Sequence, residues 1–224
     1  MAEKRSDGAG AQRSRQAVIF DFDGTIADSF AYVFDFLKSE AGDTADYSVK
    51  QLQELRKMSM QRLALHLGLP LWRLPVVYFK GRRVMRAHMK YVEPFAGMID
   101  VIRTLYQDGY VLLIASSNSS HNIRHLLRRE GVLSCFKAVR SSAGLMGKPA
   151  LIRQLLVRYR LPKQSVWYVG DELGDVTAAA RAGIRSLSVG WGFADPEQLK
   201  GLEPAGFAEK PADIVRIIEA SWKK

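Results

Sequence analysis

From residue 93 onward, apolar strand-like runs alternate with helix-periodic stretches, and this rhythm constrains the fold more than any other feature of the 224-residue chain. The pattern reads as helices over 99–107, 122–129, 149–158, 176–182 and 212–220. Strands fall between them at 110–116, 136–141, 165–170 and 186–190. An earlier apolar run, Ala17-Val18-Ile19-Phe20, supplies a first buried strand. Such alternation predicts an α/β fold, a Rossmann-like parallel sheet with helices on both faces.

The stretch between the first strand and residue 93 carries no strand signal. Ser48 and Gln51 have capping-box spacing ahead of Leu52, Leu55 and Met58. Ser59 is placed to cap a helix carrying Leu63, Leu65 and Leu67 that ends at Gly68, and a cation-rich helix follows over 76–90. We therefore expect an α/β core from 17–28 and 93–224, a small all-helical insertion over 29–92, and a flexible basic tail over 1–16. With 47% hydrophobic residues the chain can bury a core, which excludes disorder throughout. The single cysteine, Cys135, excludes a disulfide framework and fits a reducing compartment. No apolar run reaches the ~18 residues of a membrane span, and the first 16 residues lack the apolar centre of a secretory signal. A cytoplasmic protein is the expectation.

In open parallel sheets, ligands bind beyond the carboxyl ends of the strands, so the polar residues there carry the functional reading. The first strand runs into Asp21-Phe22-Asp23-Gly24-Thr25. On an extended chain, residues two apart share a face, which would set Asp21 beside Asp23. Two carboxylates about 4 Å apart repel by roughly 4 kcal/mol at an effective dielectric near 20. Either a bound cation or protonation of one acid must offset this. The bland alternative is an Asp-Gly turn. A later strand leads into Gly170-Asp171-Glu172-Leu173-Gly174-Asp175. Asp171 and Asp175 could simply favour a helix start through its dipole. With Asp21 they form an oxygen-only donor set of the kind that suits Mg²⁺. Ser116, Ser117 and Asn118 end the 110–116 strand and offer hydroxyl, amide and turn N–H donors suited to phosphate oxygens, or to an ordinary loop. Lys148 opens a helix, where a cation opposes the dipole unless an anion lies nearby. His121 and His125 are expected on a solvated face, Cys135 as a packed thiol, and Trp191-Gly192-Phe193 in packing.

In this order the residues resemble the haloacid dehalogenase superfamily of phosphohydrolases, in its phosphoglycolate-phosphatase-like branch. The resemblance rests on Asp21 to Ser29, Ser116-Ser117-Asn118, Lys148-Pro149 and Gly170 to Asp175, and it spans nearly the whole chain beyond the tail. It implies that Asp21 is a nucleophile that takes the phosphoryl group as an aspartyl-phosphate. It implies that Asp23 protonates the leaving alcohol and then activates water. Lys148 would neutralise charge, and Gly24, Thr25, Ser116, Ser117, Asn118 and Lys148 would surround the phosphate. Asp21, Asp23 (through its carbonyl), Asp171 and Asp175 would hold Mg²⁺ directly or from a step behind. The helical insertion corresponds to the family's small cap.

The expected activity is Mg²⁺-dependent hydrolysis of a small phosphate monoester, with phosphoglycolate first. A phosphosugar mutase of the β-phosphoglucomutase type shares the first motif, and a non-catalytic binding module retaining the fold is the third alternative. The net charge of +10 is compatible with nucleic acid, anionic membrane or anionic substrate. It concentrates in two blocks: residues 50–93 hold ten Lys and Arg against two acids, and residues 121–160 hold nine against one. The motifs favour a small phosphorylated metabolite as partner, with no membrane, nucleic acid disfavoured, and a monomer or homodimer. Arg62, Arg73, Arg82, Arg83 and Arg86 are candidates for positive potential at the entrance.

Overall fold

A computed structural model describes residues 16–142 and 147–222. The fold grows from strand β1 (Ala17–Phe20), whose four residues are buried on both faces. It pairs in parallel with β4 (Val111–Ser116) on one side and β6 (Val166–Gly170) on the other. With β5 (Phe136–Ser141), β7 (Arg185–Val189) and β8 (Gly206–Ala208) they make a six-stranded parallel sheet in the order β5-β4-β1-β6-β7-β8. Successive strand residues point to opposite faces. Val18 and Phe20 therefore enter one core, covered by α5 (Met98–Gln107), α6 (Ser120–Arg129) and α10 (Ala212–Ala220). Ala17 and Ile19 enter the other, beneath α7 (Gly147–Arg158) and α8 (Leu173–Ala182). A sheet covered on both faces needs near-continuous apolar strands, and β1, β4 and β6 have them.

From β1 the chain order steps outward to β4 and β5, then returns to β6 on the opposite flank. That reversal opens a crevice beyond the carboxyl ends of β1, β4 and β6. Asp21, Ser116 and Asp171 stand at those three ends.

Between β1 and the rest of the core lies a helical segment on a short antiparallel stem, β2 (Ala27–Asp28) with β3 (Glu93–Pro94). It comprises α1 (Phe30–Ala41), α2 (Val49–Arg56), α3 (Met60–His66) and α4 (Leu74–His88). The Ser48–Gln51 capping box forms, and the Ser59 hydroxyl accepts from Arg62 N. Phe34, Leu37, Leu55, Leu63 and Val77 pack into a separate apolar cluster that reaches Phe193 of the core. Leu65, grouped with Leu63 and Leu67 in the sequence reading, is instead 48% exposed, because it turns to the outer side of α3.

Of the expected tail, only Gln16 lies within the described residues. It already belongs to the sheet edge, since its carbonyl accepts from Val111 N at 2.9 Å. Helix α9 (Pro196–Lys200) and strands β2, β3 and β8 were not expected. Each is five residues or fewer, too short to show a period. No helix among the described residues is long and apolar enough to cross a membrane.

Candidate active site

The chain leaves the sheet plane right after Asp21, so the expectation that Asp21 and Asp23 lie on one strand needs correcting. Asp21 N still donates to Val169 O at 2.8 Å, but the Phe22 carbonyl then accepts from both Ile26 N and Ala27 N at 2.9 Å. This closes a tight loop. Gly24 takes φ +74°, and a Cβ there would overlap the Asp171 carboxylate. Phe22 stays buried in the first core. The two acids nevertheless line one cavity.

Asp21 is buried and fixed through both oxygens. Its Oδ1 accepts from Phe22 N at 2.7 Å, and its Oδ2 accepts from Lys148 Nζ at 2.6 Å. Lys148, in the first turn of α7, also pairs with Asp175 Oδ1. The anions that make a cation acceptable at this helix start are thus two carboxylates of the protein. Burial pulls the Lys148 ammonium pKa down, but Asp175 and Asp21 outweigh it and hold it well above the usual lysine range. Lys148 also lies over the ring of Tyr168, whose hydroxyl donates to Ala115 O at 2.9 Å.

Asp171 is fully buried. Its Oδ1 accepts from the Thr25 hydroxyl at 2.7 Å and its Oδ2 from Phe193 N at 2.9 Å. Gly192 offers no side chain beside it, where a Cβ would overlap. Burial pushes the Asp171 carboxyl well above its ordinary value, and the charges of Glu172, Asp175 and Asp21 push the same way. Asp175 Oδ2 accepts from Glu172 N at 3.0 Å, so it braces the start of α8 as well as joining the acid cluster. Its carboxyl is raised by burial, partly offset by Lys148. Burial likewise lifts the neighbouring Glu172 to about 7. One oxygen from each of Asp21, Asp171 and Asp175 lies within 4.8 Å of the others. Three hard oxygen donors with no His or Cys fit Mg²⁺, and the side-chain-free flanks at Gly24 and Gly192 fit a small ion's cradle.

The Asp23 carboxylate is outside this cluster. Its Oδ1 accepts from the Ser29 hydroxyl and its Oδ2 from Asn118 Nδ2, at 2.7 and 2.8 Å. Among the candidate metal ligands it therefore offers only its main-chain carbonyl. Burial raises its pKa to about 6, with Asp21 adding to the rise and the Ser29 and Asn118 hydrogen bonds opposing it.

The remaining sequence candidates divide. Ser117 and Asn118 line the cavity. Ser116 is fully buried with its hydroxyl accepting from Asn118 N at 3.2 Å, which shapes the turn. Thr25 is committed to Asp171 rather than to open space. Of the five arginines, Arg82 lines the cavity. His121 and His125 are exposed, as expected.

Three participants, Tyr78, Ser141 and Asn122, escaped the sequence reading, and they engage the expected Arg82. Tyr78 of α4 donates its hydroxyl to the Ser117 carbonyl, and Arg82 donates to Ser141 Oγ at 2.9 Å. Ser141 Oγ donates to Asn118 O at 2.6 Å, and Asn122 Nδ2 bridges Asn118 Oδ1 and Arg82 O. These contacts tie the helical segment to the crevice across dozens of residues, and no local spacing announces them. Trp191-Gly192-Phe193 does pack, and it also donates to Asp171 and, through Trp191 Nε1, to Thr25 O. Its position after β7, at the same sheet edge as the acids, was the available signal.

Comparison with known proteins gives the family of the chain. The family model described as haloacid dehalogenase-like hydrolase matches residues 18–189. A phosphoglycolate phosphatase from Synechococcus elongatus is 31% identical over 205 residues, covering 91% of this chain and 97% of the relative. A 5'-nucleotidase from Pseudomonas aeruginosa is 24% identical over 220 residues, covering 91% and 95%. Among solved structures, a haloacid dehalogenase-like hydrolase from Streptococcus pneumoniae superposes with a TM-score of 0.74 at 22% identity, covering 91% of this chain and 98% of that one. With its motifs, sheet order and relatives in agreement, the chain belongs to the haloacid dehalogenase-like hydrolases, and it is a phosphatase-type member of that family.

Proposed function

We infer that the protein hydrolyses a small phosphate monoester through an aspartyl-phosphate on Asp21. The observation that carries this reading is geometric. Asp21, fixed by Phe22 N and Lys148, lies at the floor of a cavity that Asp23 and Asn118 also line, with Asp171 and Asp175 beside it.

In the first half-reaction an Asp21 oxygen attacks phosphorus. The new Asp21 O–P bond forms as the P–O bond to the alcohol breaks, and Asp23 gives its proton to the departing oxygen. In the second half, Asp23 takes a proton from water as the water oxygen attacks phosphorus. The Asp21 O–P bond breaks, and inorganic phosphate and the Asp21 carboxylate remain. Lys148 donates to the buried Asp21 carboxylate and offsets its charge, while Asn118 Nδ2 holds the Asp23 carboxylate. Asp21, Asp171, Asp175 and the Asp23 carbonyl would hold Mg²⁺, which when bound supplies charge neutralisation for the transferring phosphoryl group. We take the helical segment, latched by Tyr78 and Arg82, as the cap that excludes water.

Kinship nominates phosphoglycolate as the first ester to assay. The test is phosphate release from a panel of monoesters with magnesium, repeated with chelator and with Asp21→Asn. The reading requires release that chelator and the substitution both abolish. Product analysis by phosphorus NMR separates hydrolysis from a mutase, which would yield isomers and a bisphosphate with little free phosphate. An absence of any phosphoryl chemistry would leave a binding module.

A further inference from the structure

The cavity above Asp21 encloses about 350 Å³, within the roughly 300–1,000 Å³ range of pockets that bury metabolite-sized ligands. Its floor is polar, and its walls are largely apolar apart from Gln61, Tyr78 and Arg82. Phe36 and Leu37 of α1, Leu74, Val77 and Met85 of α4, and Phe193 of the core line the space where an ester's leaving group would sit. Gly81, also on the wall, lets the Phe36 ring lie against α4, because a Cβ there would stand 2.7 Å from Phe36 Cε1.

The ionisable lining is equally informative. Among the described residues it includes three acids, Asp21, Asp23 and Glu172, and a single Lys or Arg side chain, Arg82. Arg82 is already bonded to Ser141 Oγ and stacked over Tyr78, whose hydroxyl is held by the Ser117 carbonyl. A carboxylate in the leaving group, as in phosphoglycolate, would meet largely apolar walls, with Arg82, already engaged by Ser141 Oγ, as the one Lys or Arg side chain of the described lining. An ionised group buried without a partner is strongly disfavoured, whereas an apolar group gains from every methylene removed from water.

We propose that the preferred substrates are phosphate monoesters with an uncharged apolar leaving group, an alkyl chain or ring that fills the cavity between α1, α4 and Phe193. This rests on the phosphatase reading above and names its substrate class.

The experiment measures kcat/KM with magnesium for methyl, propyl and hexyl phosphate, naphthyl phosphate and phosphoglycolate. The alkyl esters share nearly the same leaving-group basicity, so differences among them report binding of the chain. The expected result is a rise of about three- to fourfold per methylene until the cavity fills, with phosphoglycolate below hexyl phosphate. Leu74→Arg and Val33→Gln, both at half-buried wall positions, should each cut the hexyl rate more than the methyl rate. Leu74→Arg should also raise phosphoglycolate relative to hexyl phosphate. A flat alkyl series, or phosphoglycolate outpacing the apolar esters in the unsubstituted protein, would overturn the substrate class while leaving the phosphatase intact. No turnover of any ester, methyl phosphate included, would instead remove the phosphatase reading, and the substrate class with it.

Discussion

Lys148→Met removes one positive charge from a site where carboxylates outnumber it. The lysine side chain is 14% exposed, and the Asp21 and Asp175 side chains it bridges are 5% and 3% exposed. Breaking a buried ion pair from one side costs about 3–5 kcal/mol, because the other charge stays buried without compensation. For a chain of this size each kcal/mol lowers Tm by about 2–4 °C, so a fall of about 6–20 °C is expected. The acids can escape part of this cost by retaining a proton, which gives the variant a pH signature. A carboxyl with a folded pKa raised above its unfolded value of about 3.9 keeps its stability below that value and loses it as pH rises toward the folded pKa. The variant's deficit should therefore grow as pH rises above about 4, at up to about 1.4 kcal/mol per pH unit for each retained proton. The assay is thermal unfolding of metal-free wild type and variant across that rise, then with added magnesium. At a fixed concentration magnesium should stabilise the variant, with its unpaired carboxylates, more than wild type; at about 100 times Kd the contribution is about 2.7 kcal/mol. A variant that melts with wild type at every pH would refute the claim that Lys148 offsets the buried acids.

Four further outcomes follow from the same geometry. Asp23→Asn should lower kcat for an alkyl phosphate by about 10²–10⁴, the usual scale of general acid–base catalysis, and lower it less for p-nitrophenyl phosphate, whose leaving group needs little protonation. Because burial lifts Asp23 to about 6, kcat/KM in the intact protein should fall as pH rises past that value and the acid loses its proton; the Asn variant should lack this limb in a stopped-time pH profile. Gly24→Ala should abolish phosphate release and lower Tm, since φ +74° and the Asp171 carboxylate both oppose a Cβ, and a left-handed residue alone costs about 1–2 kcal/mol. Tyr78→Phe should raise KM more than it lowers kcat, because it frees α4 from the Ser117 carbonyl without touching the acids.

The core was legible in the sequence because its strands are continuous apolar runs and its helices carry clean 3.6-residue patterns. The ends of 136–141 and 212–220 agree with β5 and α10 to the residue. Caps written in local chemistry, Ser48 with Gln51 and Ser59 ahead of Arg62, were equally readable. Geometry that depends on a turn was not. The strand period placed Asp21 and Asp23 together for a reason the structure does not use, since β1 ends at Phe20 and a loop around the Phe22 carbonyl sets the second acid. Nor could spacing reveal that Thr25 would be spent on Asp171, 146 positions away, or that Asn122 would join Asn118 to α4. Those pairings exist only once the sheet order has brought separate strand ends to one edge.

The central claim is that Asp21 carries the phosphoryl group. It can be tested by quenching the protein during turnover, reducing with borohydride, which converts an aspartyl-phosphate to homoserine, and locating the product by peptide mass spectrometry. The account predicts homoserine at Asp21 in the presence of substrate and magnesium, and none in Asp21→Asn. Homoserine at another aspartate, or continued turnover with Asp21 never modified, would contradict it.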